Sequence, residues 1–326
     1  MNSCKLLLVL LLCCSLQLHA RTHSVADSTE VLGEVDSAHP IQTYAPLLKY
    51  VFFEKGSAEI PKRYLMFTSP QEANKFTLDS AHGGTYTIYY HILNIIGYRL
   101  RNHPTSKLTI VGCNDNNTMR TSPEELREGL SKQRATIVYN YLKDIWQIPE
   151  TQLKLLYRNL PERPSNPKDS LGILENRRVE LQCDDWEISK PLNVGKGYFF
   201  KKDMEEFTNW PVLSVSLIQF TFNSMQMGQL NERVLTEYVM PVIMDSDVIN
   251  ITTINFEEPL MSHPPNPNEC AKFLKYFVLK STLNKKSIKV NASSSYGSEL
   301  YMDYQPELPE THFYNRGARI TVERKK

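Results

Sequence analysis

Two blocks of the chain carry the same order of predicted elements, and this repetition limits the folds that the sequence can adopt. In the first block, β-branched and aromatic runs predict strands, and apolar residues at helical spacing predict helices between them. The order is strand, helix, strand, helix, strand, strand, and it recurs from about residue 213. We therefore expect an α/β fold, an α+β sandwich of tandem β-α-β-α-β-β domains, each with helices packed on a mixed four-stranded sheet.

The predicted elements can be placed approximately on the sequence. In the first block we expect two helices, around 88–96 and over 123–146, and strands over 50–53, 107–111, 153–157 and 177–183. In the second block we expect helices around 234–239 and 270–278, and strands over 217–222, 249–254, 287–292 and 318–323.

Residues 1–20 have the pattern of a secretory signal peptide. Lys5 precedes an apolar run over residues 6–16, which is too short to cross a membrane that needs about 20 helical residues. We expect export across the inner membrane to the periplasm and no transmembrane span in the mature chain. Acylation of Cys13 or Cys14 is a less favoured alternative, because neither follows a small residue such as Ala or Gly.

Composition shifts divide the rest of the chain. Polar residues without an apolar period predict a flexible arm over 21–45, and Pro and Gly mark a linker over 184–212. The first domain then covers 46–183 and the second covers 213–326.

Charge and cysteine content exclude several classes of function. The chain has 37 basic and 36 acidic residues, whereas binding to nucleic acid requires a positive surplus. Removal of the signal peptide leaves Cys113, Cys183 and Cys270, which are far apart and form no CxxC pair, so we expect neither a metal nor a disulfide framework. We expect no cofactor and no enzymatic activity, because no nucleophile elbow, Walker loop or dinucleotide-binding loop is present.

Three segments of the first domain occur in a diagnostic order: LTIVGCND at 108–115, LSKQRATIVYNYL at 130–142 and ENRRVEL at 175–181. Together with FFEKGSAEI at 52–60, they resemble the C-terminal, peptidoglycan-associated domain of the outer membrane protein A (OmpA-like) family. The resemblance covers about residues 48–183, and the combination of segments is more specific than any one of them.

The resemblance implies binding without catalysis. Domains of this family hold the free amino-acid end of diaminopimelate in the peptidoglycan stem peptide, a zwitterion that requires one anion and one cation. Asp115 matches the family's carboxylate for the ammonium, and Arg134 matches its arginine for the carboxylate. Asn114 and Arg177 are further candidates for ligand binding. The implied role is a tether between the cell envelope and the wall, with an outer-membrane or envelope protein as a further candidate partner.

Other interpretations of the same residues stay open. Arg134 is also consistent with a surface salt bridge to Glu128 or Asp144, and Asp115 with a turn-forming residue. The segment from Thr118 to Glu125 is an apparent insertion that could cover the pocket. These features favour an alternative function, an envelope interaction scaffold that keeps the OmpA-like fold and has lost peptidoglycan binding.

The second domain resembles a degenerate copy of the first. Alignment by strands places Glu257 or Glu258 where the first domain has Asp115, and Cys270 where it has Arg134. A thiol cannot hold a carboxylate, so we expect the fold without the wall-binding chemistry. The pair Asn315-Arg316 parallels the Asn-Arg pair of the first domain. We expect this domain to serve packing or partner binding.

Overall fold

The structure is a computed structural model that describes residues 42–81, 83, 85–115, 129–166, 170–196, 210–218, 229–245, 247–255, 267–282, 289–296, 308–314 and 317–324. The predicted signal peptide, with Cys13 and Cys14, lies outside these ranges. So do residues 21–41 of the predicted arm and the apparent insertion at 118–125. Within the described ranges, no helix has both the length and the apolar character that a membrane span requires.

The described strands and helices are numbered along the chain. The strands are β1 (Gln42–Ala45), β2 (Tyr50–Phe52), β3 (Leu108–Gly112), β4 (Leu153–Tyr157), β5 (Arg178–Gln182), β6 (Leu192–Lys196), β7 (Trp210–Ile218), β8 (Val248–Asn255), β9 (Lys289–Tyr296) and β10 (Gly317–Arg324). The helices are α1 (Pro70–Lys75), α2 (Thr85–Tyr90), α3 (Ile92–Asn102), α4 (Leu130–Asn140), α5 (Ser170–Asn176), α6 (Trp186–Ser189), α7 (Gln229–Val234), α8 (Pro267–Ser281) and α9 (Pro309–Tyr314). Wider π-helical turns, Tyr141–Ile145 and Leu235–Val239, extend α4 and α7.

The strands form a four-stranded and a six-stranded mixed sheet. The smaller sheet has the order β2-β5-β3-β4, with β5 antiparallel to β2 and β3, and β3 parallel to β4. The larger sheet has the order β6-β1-β7-β10-β8-β9. Its last four strands repeat the order and directions of the smaller sheet, since β10 lies antiparallel between β7 and β8, and β8 is parallel to β9. The predicted α/β class with helices on mixed sheets is therefore confirmed.

Apolar faces of the helices and strands explain the first core. The apolar residues of α3, Ile92-Leu93 and Ile95-Ile96, belong to the same core as the smaller sheet, and the polar residues Asn94 and Arg99 of this helix are buried as well. The strands contribute further buried side chains: Val51, Phe52, Leu108, Ile110, Val179 and Leu181. α3 ends at Asn102, and Pro104 follows it, as the sequence predicted.

Most predicted elements overlap observed ones, but two boundaries were wrong. Within the predicted helix over 123–146, Gly129 adopts a left-handed conformation with φ of 65°, so α4 begins at Leu130, and residues 123–128 lie outside the described ranges. The strand predicted over 217–222 begins earlier, at Trp210.

Three predictions about the connections also require correction. The predicted arm over 21–45 ends in a strand, β1, which is paired with β6 and β7. The predicted linker over 184–212 contains α6, β6 and the start of β7. The second sheet has six strands instead of four, because β1 and β6 extend it. The strands β1 and β6 are short and partly polar, so their stability depends on pairing with other strands, which local sequence patterns do not predict.

The chain crosses between its two halves in two places, at β1 and at α9. β1 precedes the first domain in sequence but pairs with β7 of the larger sheet. In the opposite direction, α9 precedes β10 of the larger sheet, and its Tyr314 belongs to the core of the smaller sheet with 1% of its surface exposed. The halves are therefore interlocked.

The close approach of α4 to the end of β3 gives a test of the fold. A Cβ atom at Gly112 would lie 1.8 Å from the Ser131 carbonyl oxygen, so Gly112→Ala must displace α4. We expect a loss of about 1 to 3 kcal/mol in the free energy of unfolding, measured by urea denaturation.

Gly56→Asn is the matched control for this substitution. Gly56 has φ of +67° and nothing within 4 Å of an added Cβ, and Asn tolerates this conformation better than other residues with side chains. Its cost should stay below about 1 kcal/mol. An equal loss in both variants would contradict the claimed close contact between α4 and β3.

Candidate functional site

The predicted site residues meet where β3 ends and β5 begins. Asn114 and Asp115 follow β3, Arg134 lies in the second turn of α4, and Arg177 directly precedes β5. β3 and β5 are antiparallel, with Gly112 opposite Val179, so the end of one strand lies beside the start of the other. The Cys113 amide continues this pairing by donating to the Arg178 carbonyl oxygen at 2.9 Å.

Asp115 and Arg177 form a buried ion pair. The Nε and Nη2 atoms of Arg177 both lie 2.8 Å from Oδ2 of Asp115. Only 3% of Asp115 and 6% of Arg177 is exposed. A charged pair at this depth is stable only when its hydrogen bonds are well formed, because both groups have lost their hydration. The predicted carboxylate therefore already holds a cation of its own chain.

Arg134 is fully buried, and its guanidinium donates to oxygen atoms from two segments. Nε donates to the Ser57 carbonyl oxygen at 2.9 Å, and Nη2 donates to that of Glu54 at 3.2 Å. Nη1 donates to the Cys113 carbonyl oxygen and to Oδ1 of Asn114, both at 3.1 Å. The planar guanidinium thereby joins the turn after β2 to the end of β3.

These contacts define a charged cluster: Asn114, Asp115, Arg134 and Arg177. All four were selected from the sequence, and Asn114 and Arg177 are hydrogen-bonded to the two principal candidates. Between 0% and 6% of each residue is exposed, so the cluster is closed in this structure.

One local interpretation from the sequence is wrong. Arg134 is not on the helix surface, since none of its surface is exposed, and Asp144 lies instead 3.9 Å from Lys143. The Asp115 carboxylate accepts hydrogen bonds from Arg177, and its suggested turn-forming role stays a prediction, because the residues that follow it lie outside the described ranges. Glu128, the other suggested partner of Arg134, lies outside the described residues.

The burial of Cys113 shows that the surroundings of the cluster are shielded from water. Its side chain is fully buried, and burial raises the pKa of the thiol to about 11. A neutral thiol donates weakly and carries no charge into the cluster. Cys113 therefore acts as a small apolar residue.

Sequence reasoning missed a second set of buried charges beside the cluster. Glu180 on β5 accepts hydrogen bonds from Arg158 and, at 2.9 Å, from Nη2 of Arg178. The Arg178 guanidinium also lies 4.4 Å from the centre of the Tyr50 ring. The glutamate lies two positions from Arg178 in the strand, so both side chains point to the same face. The alternation of side chains along a strand could therefore have predicted this pair from the sequence.

A cleft of about 360 Å³ lies beside these charges but does not include the predicted pair Asp115 and Arg134. Its lining combines side chains of β2, β5 and the residues next to them with two from the segment after β4: Lys49, Tyr50, Glu162, Arg163, Glu180, Leu181, Gln182, Cys183 and Asp184. Lys49 already donates to the Cys183 carbonyl oxygen at 3.2 Å and to Ser189 Oγ at 3.1 Å. Burial lowers the pKa of its ammonium.

In the second half, Cys270 lies where alignment by strands placed the counterpart of Arg134. It is buried on α8, and burial raises the pKa of its thiol to about 12. The thiol therefore stays neutral, and no thiol can supply the positive charge that Arg134 carries. The other predicted counterparts, Glu257, Glu258 and the pair Asn315-Arg316, lie outside the described residues. Among the described residues, no group of acidic, histidine and cysteine side chains could hold a metal ion.

Comparison with known proteins gives no family match and low similarity to solved structures. No protein-family model and no curated protein matches the chain. The peptidoglycan-associated lipoprotein from Burkholderia pseudomallei has 16% identity and a TM-score of 0.29, covering 42% of this chain and 91% of the lipoprotein.

Two further solved structures are similar at the same level. A MotB-like protein from Desulfovibrio vulgaris has 15% identity and a TM-score of 0.27, over 40% of this chain and 65% of that protein. The OmpA-like domain of FopA1 from Francisella tularensis subsp. tularensis SCHU S4 has 11% identity and a TM-score of 0.27, over 45% and 85%. Similarities at these values carry no argument about activity.

The buried contacts of Arg134 predict that lysine cannot replace it. The single ammonium of Arg134→Lys cannot reach acceptors on both the turn after β2 and the end of β3. We expect a loss of about 2 to 4 kcal/mol in the free energy of unfolding, measured by urea denaturation.

Arg233→Lys is the control for Arg134→Lys. The Arg233 side chain is 49% exposed and lies 3.6 Å from Glu237 on the same helical surface. Its replacement should change stability by less than about 1 kcal/mol. If Arg134→Lys is equally mild, the guanidinium does not join the two segments as described.

Proposed function

We propose that the chain is a non-enzymatic protein of the bacterial cell envelope whose first domain associates with peptidoglycan. The observation that carries this proposal is the convergence of Asn114, Asp115, Arg134 and Arg177 in one charged cluster. Four residues chosen for recognition of an amino-acid zwitterion come from three separate segments and meet at one end of the smaller sheet. The strand order β2-β5-β3-β4 supports the same assignment.

The proposed ligand is the free end of diaminopimelate in the stem peptide. Asp115 binds its ammonium. Arg134 binds its carboxylate through a planar fork, which requires the ligand oxygens to replace some of the four protein oxygens that now accept from the guanidinium. Nε and Nη2 of Arg177 contact Oδ2 of the Asp115 carboxylate. Binding therefore requires the ammonium to replace or share this contact. Because one cation replaces another, the buried Asp115 carboxylate keeps an opposite charge beside it. This limits the free-energy cost of the exchange.

The second domain is proposed to be a degenerate OmpA-like repeat. Its strands β7-β10-β8-β9 have the order and directions of the smaller sheet, which supports a common origin. The buried neutral thiol of Cys270 supports the absence of diaminopimelate chemistry there. Export to the periplasm by residues 1–20 and attachment to the outer membrane through a partner or a lipid complete the proposal.

A second candidate function is an envelope interaction scaffold that keeps the fold without binding the wall. The specific observation in its favour is the closed cluster, in which Arg134 is fully buried and Asp115 is paired with Arg177. On this account the charges stabilise the end of the sheet, and the protein binds other proteins. The two candidates differ in whether the cluster opens for a ligand.

Co-sedimentation of the full chain with peptidoglycan sacculi tests the proposal. We expect the protein to pellet with sacculi whose stem peptides contain diaminopimelate and to pellet less with sacculi that contain lysine at that position. Asp115→Asn keeps the shape of the side chain and removes its charge. It should weaken binding by roughly tenfold to a hundredfold, because one charge-assisted contact is lost.

Asp144→Asn is the control, since the Asp144 side chain is 61% exposed and lies outside the cluster. It should pellet like the wild type, with folding of both variants checked by circular dichroism. If the wild-type protein stays in solution with both kinds of sacculi, wall binding is excluded and the interaction scaffold remains as the function. Equal pelleting of Asp115→Asn and wild type would show that the cluster is not the binding site.

A further inference from the structure

The helix α9 belongs by sequence to the second half but packs in the first. It directly precedes β10, as α5 directly precedes β5, so the two helices have equivalent places in the two sheets. Tyr314 donates to the Pro46 carbonyl oxygen at 3.2 Å, and its ring lies 5.6 Å from that of Tyr89. Phe313 stacks on Phe52 of β2 with ring centres 5.6 Å apart. A helix of six residues is unstable alone, so its conformation depends on this packing.

The first connection from α9 to the charged cluster passes through a buried acid. Nδ1 of His312 lies 3.1 Å from Oε1 of Glu175 at the end of α5. Only 3% of His312 and none of Glu175 is exposed, and Ser165 Oγ donates to the other oxygen of Glu175. A buried carboxylate with fixed partners is costly to move, because each lost contact leaves charge without hydration. His312 therefore helps to fix the end of α5.

The end of α5 in turn sets the position of Arg177. Asn176 exchanges two hydrogen bonds of 2.8 Å with the Ser165 backbone, which anchors the residue next to Glu175. The Arg177 amide donates to the Leu174 carbonyl oxygen at 3.2 Å, and the Phe53 amide donates to the Arg177 carbonyl oxygen at 2.8 Å. With its backbone held on both sides, Arg177 reaches Asp115.

The second connection reaches Arg134. Glu310 of α9 is fully buried, and its Oε1 lies 2.7 Å from Nε of Arg63. Burial alone would lower the pKa of Arg63, but the Glu310 carboxylate acts together with Glu54 and nearby tyrosines to raise it above its ordinary value. Arg63 also donates to the Glu54 side chain at 2.7 Å, and the Glu54 carbonyl oxygen accepts from Arg134. The Glu54 side chain is 63% exposed, so this connection is the weaker one.

We propose that α9 is a positioning element for the charged cluster, with His312 acting on Arg177 through Glu175 and Glu310 acting on Arg134 through Arg63 and Glu54. The second half then holds both charges of the first domain in the geometry of the site. The functional meaning of this inference rests on the proposed wall-binding role. The positioning itself is a property of the protein without ligand.

Hydrogen exchange of the arginine Nε–H groups, measured by ¹H–¹⁵N NMR on the full chain without peptidoglycan, tests the positioning. His312→Ala should speed exchange at Arg177 by about tenfold or more, because the end of α5 becomes free to open. His312→Asn places an amide nitrogen near the position of Nδ1 and should restore slow exchange. Glu310→Gln should speed exchange at Arg134 by a smaller factor and serves as a second variant if His312→Ala fails to fold.

Tyr314→Phe is the matched control within the same helix. It removes the hydrogen bond to Pro46 but lies on neither connection, so exchange at Arg177 and Arg134 should match that of the wild type. Unchanged exchange in folded His312→Ala and Glu310→Gln would overturn the proposal. So would equal acceleration in Tyr314→Phe, since the effect would then be general loosening of the helix. Because no peptidoglycan is present, failure of wall binding leaves this result intact.

Discussion

The buried carboxylates Glu175 and Glu310 impose the constraint on which the rest of the structure depends. Neither side chain has exposed surface, so each needs partners that the surrounding segments must supply. For Glu175 the partners include His312 of the second half, and for Glu310 they include Arg63 and Tyr90 of the first. The halves of the chain are thus held together by ionisable groups that water would otherwise hydrate. The strand β1, which crosses in the opposite direction, adds backbone pairing to the same connection.

The charged cluster follows the same principle within the first domain. Arg134 joins the turn after β2 to the end of β3, and Asp115 holds the residue that opens β5. These contacts hold together the ends of three strands. The same geometry places an anion and a cation of the kind that a zwitterionic ligand requires. A site built in this way has a structural role without ligand, and recognition depends on an exchange of partners.

Elements with strong local patterns were predictable from the sequence. β4 has the predicted bounds, α3 buries the predicted apolar face, and the three ordered motifs led to residues that the fold brings together. Six short elements were not predicted: β1, β6, α1, α5, α6 and α9. Their stability comes from tertiary contacts, such as the bond between His312 and Glu175 across 137 positions. The closure of the cluster was also missed, because burial of Arg134 depends on carbonyl groups whose positions no side-chain pattern encodes. The degenerate ligand chemistry of the second domain stays a prediction.

The most direct test of the account is titration of the ¹⁵N-labelled full chain with free diaminopimelate while the Nε–H signals of Arg134 and Arg177 are followed by NMR. If the cluster exchanges partners with the ligand, both signals should shift together and saturate. The Nε–H signal of Arg177 should then move away from the chemical shift that it has while it donates to Asp115. Signals that stay unchanged up to about 10 mM ligand, far above the range of specific weak binding, would show that the cluster stays closed and that its role is structural.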